Sequence, residues 1–231
     1  MRIGPVVTES PHIHPAVAPA RAVLFDFDFT LADSSEGIVA CMNHALGRLG
    51  LPPAPADAIR RTIGLDLGTA LGILAGEKWR PREDEFLEHF VRKADEVMVA
   101  STTFLPGAAR VLRTLHGAGH RVGIVTTKYR HRVEDALERD GLREFVGAIV
   151  GADDVPWPKP APDGLMRAAD LLGTPLSQCI FVGDSTVDAM AAKALGVAFV
   201  AVLSGTTEEE AFVGYPVRVV LGGVGEVAPR T

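Results

Sequence analysis

Asp26 and Asp28 stand two residues apart, directly after an apolar run, Ala22-Val23-Leu24-Phe25. Two such acids resist ionising together, and burial adds a desolvation cost. A folded chain tolerates that cost when a cation or a reaction uses the pair. Read as a buried strand, the run delivers both acids to its carboxyl end. That end is where open α/β sheets bind ligands. Taken alone, the pair also reads as polar turn residues closing a strand.

Three further signals follow later apolar runs or precede a helical pattern. They are Thr126/Thr127, Lys159 and Asp184/Asp188. Carboxylates converging from two strands form an oxygen site suited to magnesium, which also binds substrate phosphate. A lysine and a hydroxyl beside it supply groups for phosphoryl oxygens. One carboxylate can attack phosphorus, and a second can serve as acid and then base. Singly the signals are weak: a strand threonine, a solvated lysine, a capping aspartate. Their order, each at a strand end, is far more specific.

Those residues need a scaffold, and the chain alternates suitably. Strands are expected at 22–26, 121–127, 148–150, 178–182, 198–203 and 217–221. Helices are expected between them at about 106–117, 130–140, 162–172 and 187–195. The alternation predicts a parallel sheet with helices on both faces. Residues 34–101 carry helical spacing only, interrupted at Leu51-Pro52-Pro53-Ala54-Pro55 and at Trp79-Arg80-Pro81. Asp33, Ser34 or Ser35 is placed to cap the first of these helices. The expected layout is a leader over 1–20, an α/β core over 21–33 and 102–231, and a helical insert over 34–101.

The 231 residues are 47% hydrophobic and 23% charged, an ordinary globular composition. A net charge of −6 argues against a general nucleic-acid-binding surface. Cys41 and Cys179 are far apart, with no cysteine/histidine cluster, so neither a disulfide framework nor a zinc site is indicated. No apolar run approaches the roughly 20 residues of a membrane helix. Residues 1–20 hold four prolines and no apolar signal core, so they read as a poorly ordered leader in which His12 and His14 are incidental. A cytoplasmic location and a monomer or homodimer are expected.

From about Arg21 to Thr206 the chain resembles the haloacid-dehalogenase-like hydrolases, and within them the phosphoglycolate-phosphatase-like subgroup. Asp26-Phe27-Asp28-Phe29-Thr30 is similar to the first motif, DxDxT. Thr126, Lys159 and the stretch Gly183-Asp184-Ser185-Thr186-Val187-Asp188 stand for the other three. The resemblance implies a Rossmann-like parallel sheet core and an inserted all-helical cap. It implies Asp26 as nucleophile and Asp28 as acid and base. Magnesium would be held by Asp26, the Asp28 backbone carbonyl and Asp184, with Asp188 in support. Thr126, Thr127 and Lys159 would face the phosphate of a small phosphorylated metabolite. Two departures stand out: Phe29 replaces the usual glycine, and Thr127 replaces the common asparagine. Phe29 sits in the turn that leads toward the helical insert.

Within that resemblance, the second acid, Asp28, separates this chain from dehalogenases and phosphonate-cleaving relatives. No histidine stands near Ser35-Glu36-Gly37, where mutase-type relatives carry one. Phosphate-ester hydrolysis is therefore expected, with a phosphosugar mutase-type transferase and a non-catalytic phosphometabolite-binding protein as alternatives. The candidate substrates are phosphoglycolate, a nucleotide, pyrophosphate or a sugar phosphate. Arg60, Arg61, Lys78 and Arg80 are candidate contacts to an anionic substrate, though each reads more readily as a solvated helix charge.

Overall fold

β1 (Ala22–Phe25) is buried along its whole length, as expected of a strand with neighbours on both edges and helices on both faces. In the computed structural model, which describes residues 12–229, the chain continues into a short strand, β2 (Ala32–Asp33). Four helices follow: α1 (Ser35–Arg48), α2 (Ala56–Arg60), α3 (Leu67–Ala75) and α4 (Glu83–Val97). β3 (Thr103–Phe104) then returns antiparallel to β2. The remainder alternates: α5 (Ala108–Gly117), β4 (Arg121–Val125), α6 (Arg130–Arg139), β5 (Ala148–Val150), α7 (Asp163–Leu171), β6 (Cys179–Gly183), α8 (Thr186–Leu195), β7 (Ala198–Val202) and β8 (Val217–Leu221).

The six-stranded sheet has the order β5-β4-β1-β6-β7-β8, and every pairing is parallel. The chain builds outward from β1 on one side, then crosses to the other. This reversal opens a crevice at the carboxyl ends of β1, β4 and β6, where α/β sheets place ligands. Strand alternation divides the core in two. Val23, Phe25, Val122 and Ile124 face α5 and α6 through Leu112, Leu115, Val133 and Leu137. Leu24, Val125 and Phe181 face α7 and α8 through Leu165, Ala168, Ala189 and Ala192. The parallel α/β core expected from the alternation is therefore the one observed.

The helical block has a core of its own. Met42, Ala45 and Leu46 on α1 meet Phe86, Phe90 and Ala94 on α4, with Ile59 and Leu71 closing the group. Asn43 secures the proline-rich joint. Its side-chain oxygen accepts from the Ala54 N–H at 2.8 Å, and its amide donates to the Ala54 carbonyl at 3.2 Å.

Several local features differ from expectation. Two-residue strands such as β2 and β3 are too short to carry a periodic signal, and the sequence pattern does not mark them. Residues 77–82 form a 3-10 helix through Pro81, where a break was expected. Ser34 caps α1 without a side-chain bond; instead the Ser35 N–H donates to the Asp33 carboxylate at 2.8 Å. Residues 12–20, expected as part of a loose leader, are docked. Val17 is fully buried, and the His14 N–H donates to the Val227 carbonyl at 2.9 Å. His14 Nδ1 accepts from the Ala16 N–H, a local bond in place of a metal role. The rest of the expected leader, residues 1–11, lies outside the described residues.

Burial ranks side chains across the molecule. Phe86→Ala should destabilise the protein by about 3–5 kcal/mol through loss of transfer energy and cavity formation. Val213→Ala, at a position 82% exposed, should move stability by less than about 0.5 kcal/mol. Denaturant midpoints compare the two directly.

Candidate active site

Asp26 is the first residue past β1, and its N–H donates to the Val182 carbonyl at 2.9 Å. It thus extends the β1–β6 ladder by one bond and fixes its side chain at the mouth of the crevice. Asp184 is the first residue past β6. Asp188 lies on the first turn of α8, where its carboxylate accepts from the Ser185 N–H at 3.1 Å and the Ser185 hydroxyl at 2.6 Å. The reciprocal bond from the Asp188 N–H to Ser185 Oγ makes this a capping box. One oxygen from each of Asp26, Asp184 and Asp188 falls within 4.8 Å of the other two, and all three residues are buried.

Lys159 enters from the loop before α7. Its Nζ lies 2.6 Å from Asp26 Oδ1 and 2.6 Å from Asp188 Oδ1. Burial works against its charge, but Asp188 and Asp26 outweigh that cost and hold the ammonium protonated. Asp26 is pushed up to about 7, chiefly by burial and then by Asp188, against the opposing pull of Lys159. Burial, Asp188 and Asp26 push Asp184 well above the usual carboxylate range. Three buried acids thus share one ammonium. Asp184 has a weaker supporting contact from the Thr30 hydroxyl at 3.3 Å.

Asp28 stands apart from this triad. Its Oδ2 pairs with Lys128 Nζ at 3.1 Å, while its Oδ1 is buried with no hydrogen-bond partner among the described residues. Thr126 follows β4, and its hydroxyl oxygen accepts from the Lys128 N–H at 3.1 Å. Thr127 is half-buried on the same turn. Asp28, Thr127, Lys128 and Lys159 all line one cavity of about 860 Å³ between the sheet edge and the helical block.

Backbone details keep the acids in place. A Cβ on Gly205 would lie 1.9 Å from Asp184 Oδ2, and one on Gly183 would lie 2.6 Å from Asp188. Neither position has room for a side chain beside these carboxylates. Phe29, where a glycine was usual, adopts φ 61°. That left-handed conformation costs a bulky residue about 1–3 kcal/mol and needs surroundings that enforce it. Here the Phe29 N–H donates to the Ala32 carbonyl at 2.6 Å, and its carbonyl accepts from the Ser204 hydroxyl at 2.5 Å. The ring is nearly buried.

Sequence reasoning passed over Lys128 as a site residue, although its place beside Thr126 at a strand end was a usable signal. It also missed Arg132, which spans from α6 to the helical block. Its guanidinium donates to Asp95 at 2.7 Å and to the Val91 carbonyl at 3.2 Å, and it lies over the Tyr129 ring. No local pattern marks a pair 37 residues apart. Arg60, Arg61, Lys78 and Arg80 do not line the cavity. Arg60 and Arg80 instead meet Asp57 and Glu77 on the block's exposed side.

The crevice of the parallel sheet gathers Asp26, Asp184, Asp188 and Lys159, and comparison with known proteins names the class. The haloacid dehalogenase-like hydrolase family model matches residues 23–202. "Probable phosphatase IndB" of Dickeya dadantii is 36% identical over 196 residues, covering 81% of this chain and 84% of its own. Phosphoglycolate phosphatase of Pseudomonas fluorescens is 33% identical over 190 residues, covering 80% and 70% respectively. A haloacid dehalogenase-like hydrolase structure from Bacteroides fragilis superposes with a TM-score of 0.86 at 38% identity, covering 90% of this chain and 99% of that one. The chain belongs to the haloacid dehalogenase-like hydrolase family. Within it, it is an enzyme of the phosphatase kind, a phosphoric-monoester hydrolase.

The crowded acids make stability depend on pH with a definite sign. Raised carboxylates stay protonated in the folded chain after the unfolded chain has released its protons. Stability therefore falls as pH rises from about 4, the ordinary carboxylate value, through about 7 for Asp26. Asp184→Asn removes one of the opposing charges. In chelator, at pH 8, the variant should melt several degrees above wild type, at roughly 2–4 °C per kcal/mol relieved. At pH 5 the two melting temperatures should converge. A variant that melts lower at both values would contradict this reading of the cluster.

Proposed function

We propose that the protein is a magnesium-dependent phosphatase that hydrolyses a small phosphorylated metabolite through an aspartyl-phosphate on Asp26. The observation that carries this reading is the Lys159 bridge. An ammonium 2.6 Å from both Asp26 and Asp188 favours an ionised Asp26, and an ionised carboxylate is what nucleophilic attack requires.

The donor set fits magnesium. Three buried carboxylates offer oxygen ligands within 4.8 Å of one another, and a single lysine leaves them short of positive charge. Asp26, Asp184 and the Asp28 backbone carbonyl would hold the ion, with Asp188 in support through Lys159. When bound, magnesium supplies charge neutralisation for the acids and the phosphoryl oxygens.

This chain's residues divide the remaining work. Lys159 spends two of its three N–H donors on Asp26 and Asp188, which leaves one for a phosphoryl oxygen. Thr126 Oγ1 accepts from the Lys128 N–H, so its own proton is free to donate to another. Thr127 lies beside it on the cavity wall. Asp28, with Oδ2 held by Lys128, would carry a proton on its unpartnered Oδ1 and hand it to the leaving oxygen. It then takes one from the water that hydrolyses the acyl phosphate. The helical block over residues 34–101 acts as the cap on the α/β core of 21–33 and 102–231. It screens the cavity from water, with Arg132 tying the two parts together.

The reading is tested with an aryl phosphate and magnesium. Asp26→Ala should abolish turnover, and phosphate release near the wild-type rate would exclude Asp26 as nucleophile. Asp28→Asn should lower kcat by roughly 10²–10⁴-fold, the span typical of a lost acid–base group. An unaltered kcat would remove Asp28 from proton transfer.

A further inference from the structure

The cavity above the proposed nucleophile constrains what the phosphate is attached to. Its volume of about 860 Å³ lies near the top of the range that encloses drug-sized ligands. Its walls are largely apolar, with Met42, Ile63, Leu67, Leu87 and Phe90 coming from the helical block. Trp157 lines the same cavity from the core, on the loop that carries Lys159. The Trp157 side chain is 69% exposed, so a large aromatic face is left open at a ligand site.

The charges in that cavity matter as much as its size. Its lining cations are Lys128, Lys159 and Arg132. Each is engaged among the described residues: Lys128 with Asp28, Lys159 with Asp26 and Asp188, Arg132 with Asp95 and the Val91 carbonyl. The helical block adds Asp66, Glu83 and Asp84 to the lining. A substrate with a carboxylate beyond its phosphate would therefore find no free cation for it. It would instead meet three acids, and like charges brought together beside apolar walls oppose binding.

Resting on the phosphatase reading above, we propose that the substrate is a phosphomonoester with a bulky, uncharged leaving group of the nucleoside class, a sugar that carries a flat base. A two-carbon carboxylated phosphate does not fit this site. The base lies on Trp157, and the apolar wall of the block covers its other side. The reaction is hydrolysis: the P–O bond to the nucleoside breaks, its oxygen gains a proton from Asp28, and water supplies the oxygen and proton that complete phosphate and restore the acid.

The test measures phosphate release from AMP, thymidine 5′-monophosphate, 2-phosphoglycolate and ethyl phosphate, for wild type and Trp157→Ala, with Asp26→Ala as blank. The expected result is a kcat/KM for at least one nucleotide about 100-fold or more above that for 2-phosphoglycolate. Trp157→Ala should also lower the ratio of nucleotide to ethyl phosphate kcat/KM by roughly 5- to 150-fold, mainly through KM. That span is what stacking of one base on an aromatic ring supplies. A kcat/KM for 2-phosphoglycolate equal to or above those of the nucleotides overturns the proposal and leaves the phosphatase reading standing. A nucleotide-to-ethyl-phosphate ratio unmoved by Trp157→Ala overturns it as well. If no ester gives Asp26-dependent phosphate release, the underlying reading falls with it.

Discussion

Three carboxylates, Asp26, Asp184 and Asp188, share the single ammonium of Lys159 in a buried crevice. This imbalance is the constraint around which the rest of the protein is arranged. Removing the charge of Asp184, which makes no ion pair among the described residues, would ease folding, because buried like charges oppose each other and lose solvation. That the arrangement persists points to chemistry that uses it. The sheet order makes it possible: β1 and β6 are hydrogen-bonded neighbours, so the residues just past their ends meet. The capping box at Ser185 then turns Asp188 inward, and the loop before α7 delivers Lys159 from the other side of β1.

Supporting the cluster imposes costs on the surrounding backbone. Gly183 and Gly205 give up side chains so that the acids have room. Phe29 takes a left-handed turn directly after Asp28, held by Ala32 and Ser204. The ordering of these few residues is carried by two well-packed layers on either side of the sheet. The helical block needs little from that core for its own cohesion, since its apolar residues pack chiefly on each other. Its link to the core consists of the two chain crossings at β2 and β3 and polar ties such as Arg132 to Asp95. The cavity lies between the sheet edge and the helical block, lined by residues of both.

How much of this was legible in the sequence follows from the range of each interaction. Strands and helices of the core were readable because burial on both faces leaves continuous apolar runs, as in 22–25 and 179–182, and amphipathic spacing between them. Asp26, Asp28, Thr126, Thr127, Asp184 and Asp188 were readable as candidates because each follows such a run closely, and Lys159 because it stands in the loop before a helical pattern. A parallel sheet with right-handed crossovers puts them at one edge, but which strands are neighbours is seen only in the fold. Pairings between distant segments left no local trace: Lys128 with Asp28, Arg132 with Asp95, Gly205 against Asp184. The docking of residues 12–20 was hidden for the same reason. A proline-rich stretch reads as loose unless its partner, here the segment near Val227, is known. Phe29 was visible as an odd residue, but only the backbone revealed the left-handed turn it has to make.

The role proposed for Asp26 is attack on phosphorus in the ionised form that Lys159 favours against burial and Asp188. Its most direct test is acid quenching of the enzyme within one turnover of an aryl phosphate, followed by peptide mass spectrometry of the phosphorylated protein. A phosphoryl group on Asp26, present during turnover and gone once substrate is exhausted, is the result expected. Release of phosphate with no modified peptide at any quench time, or with the label on another residue, would contradict the account.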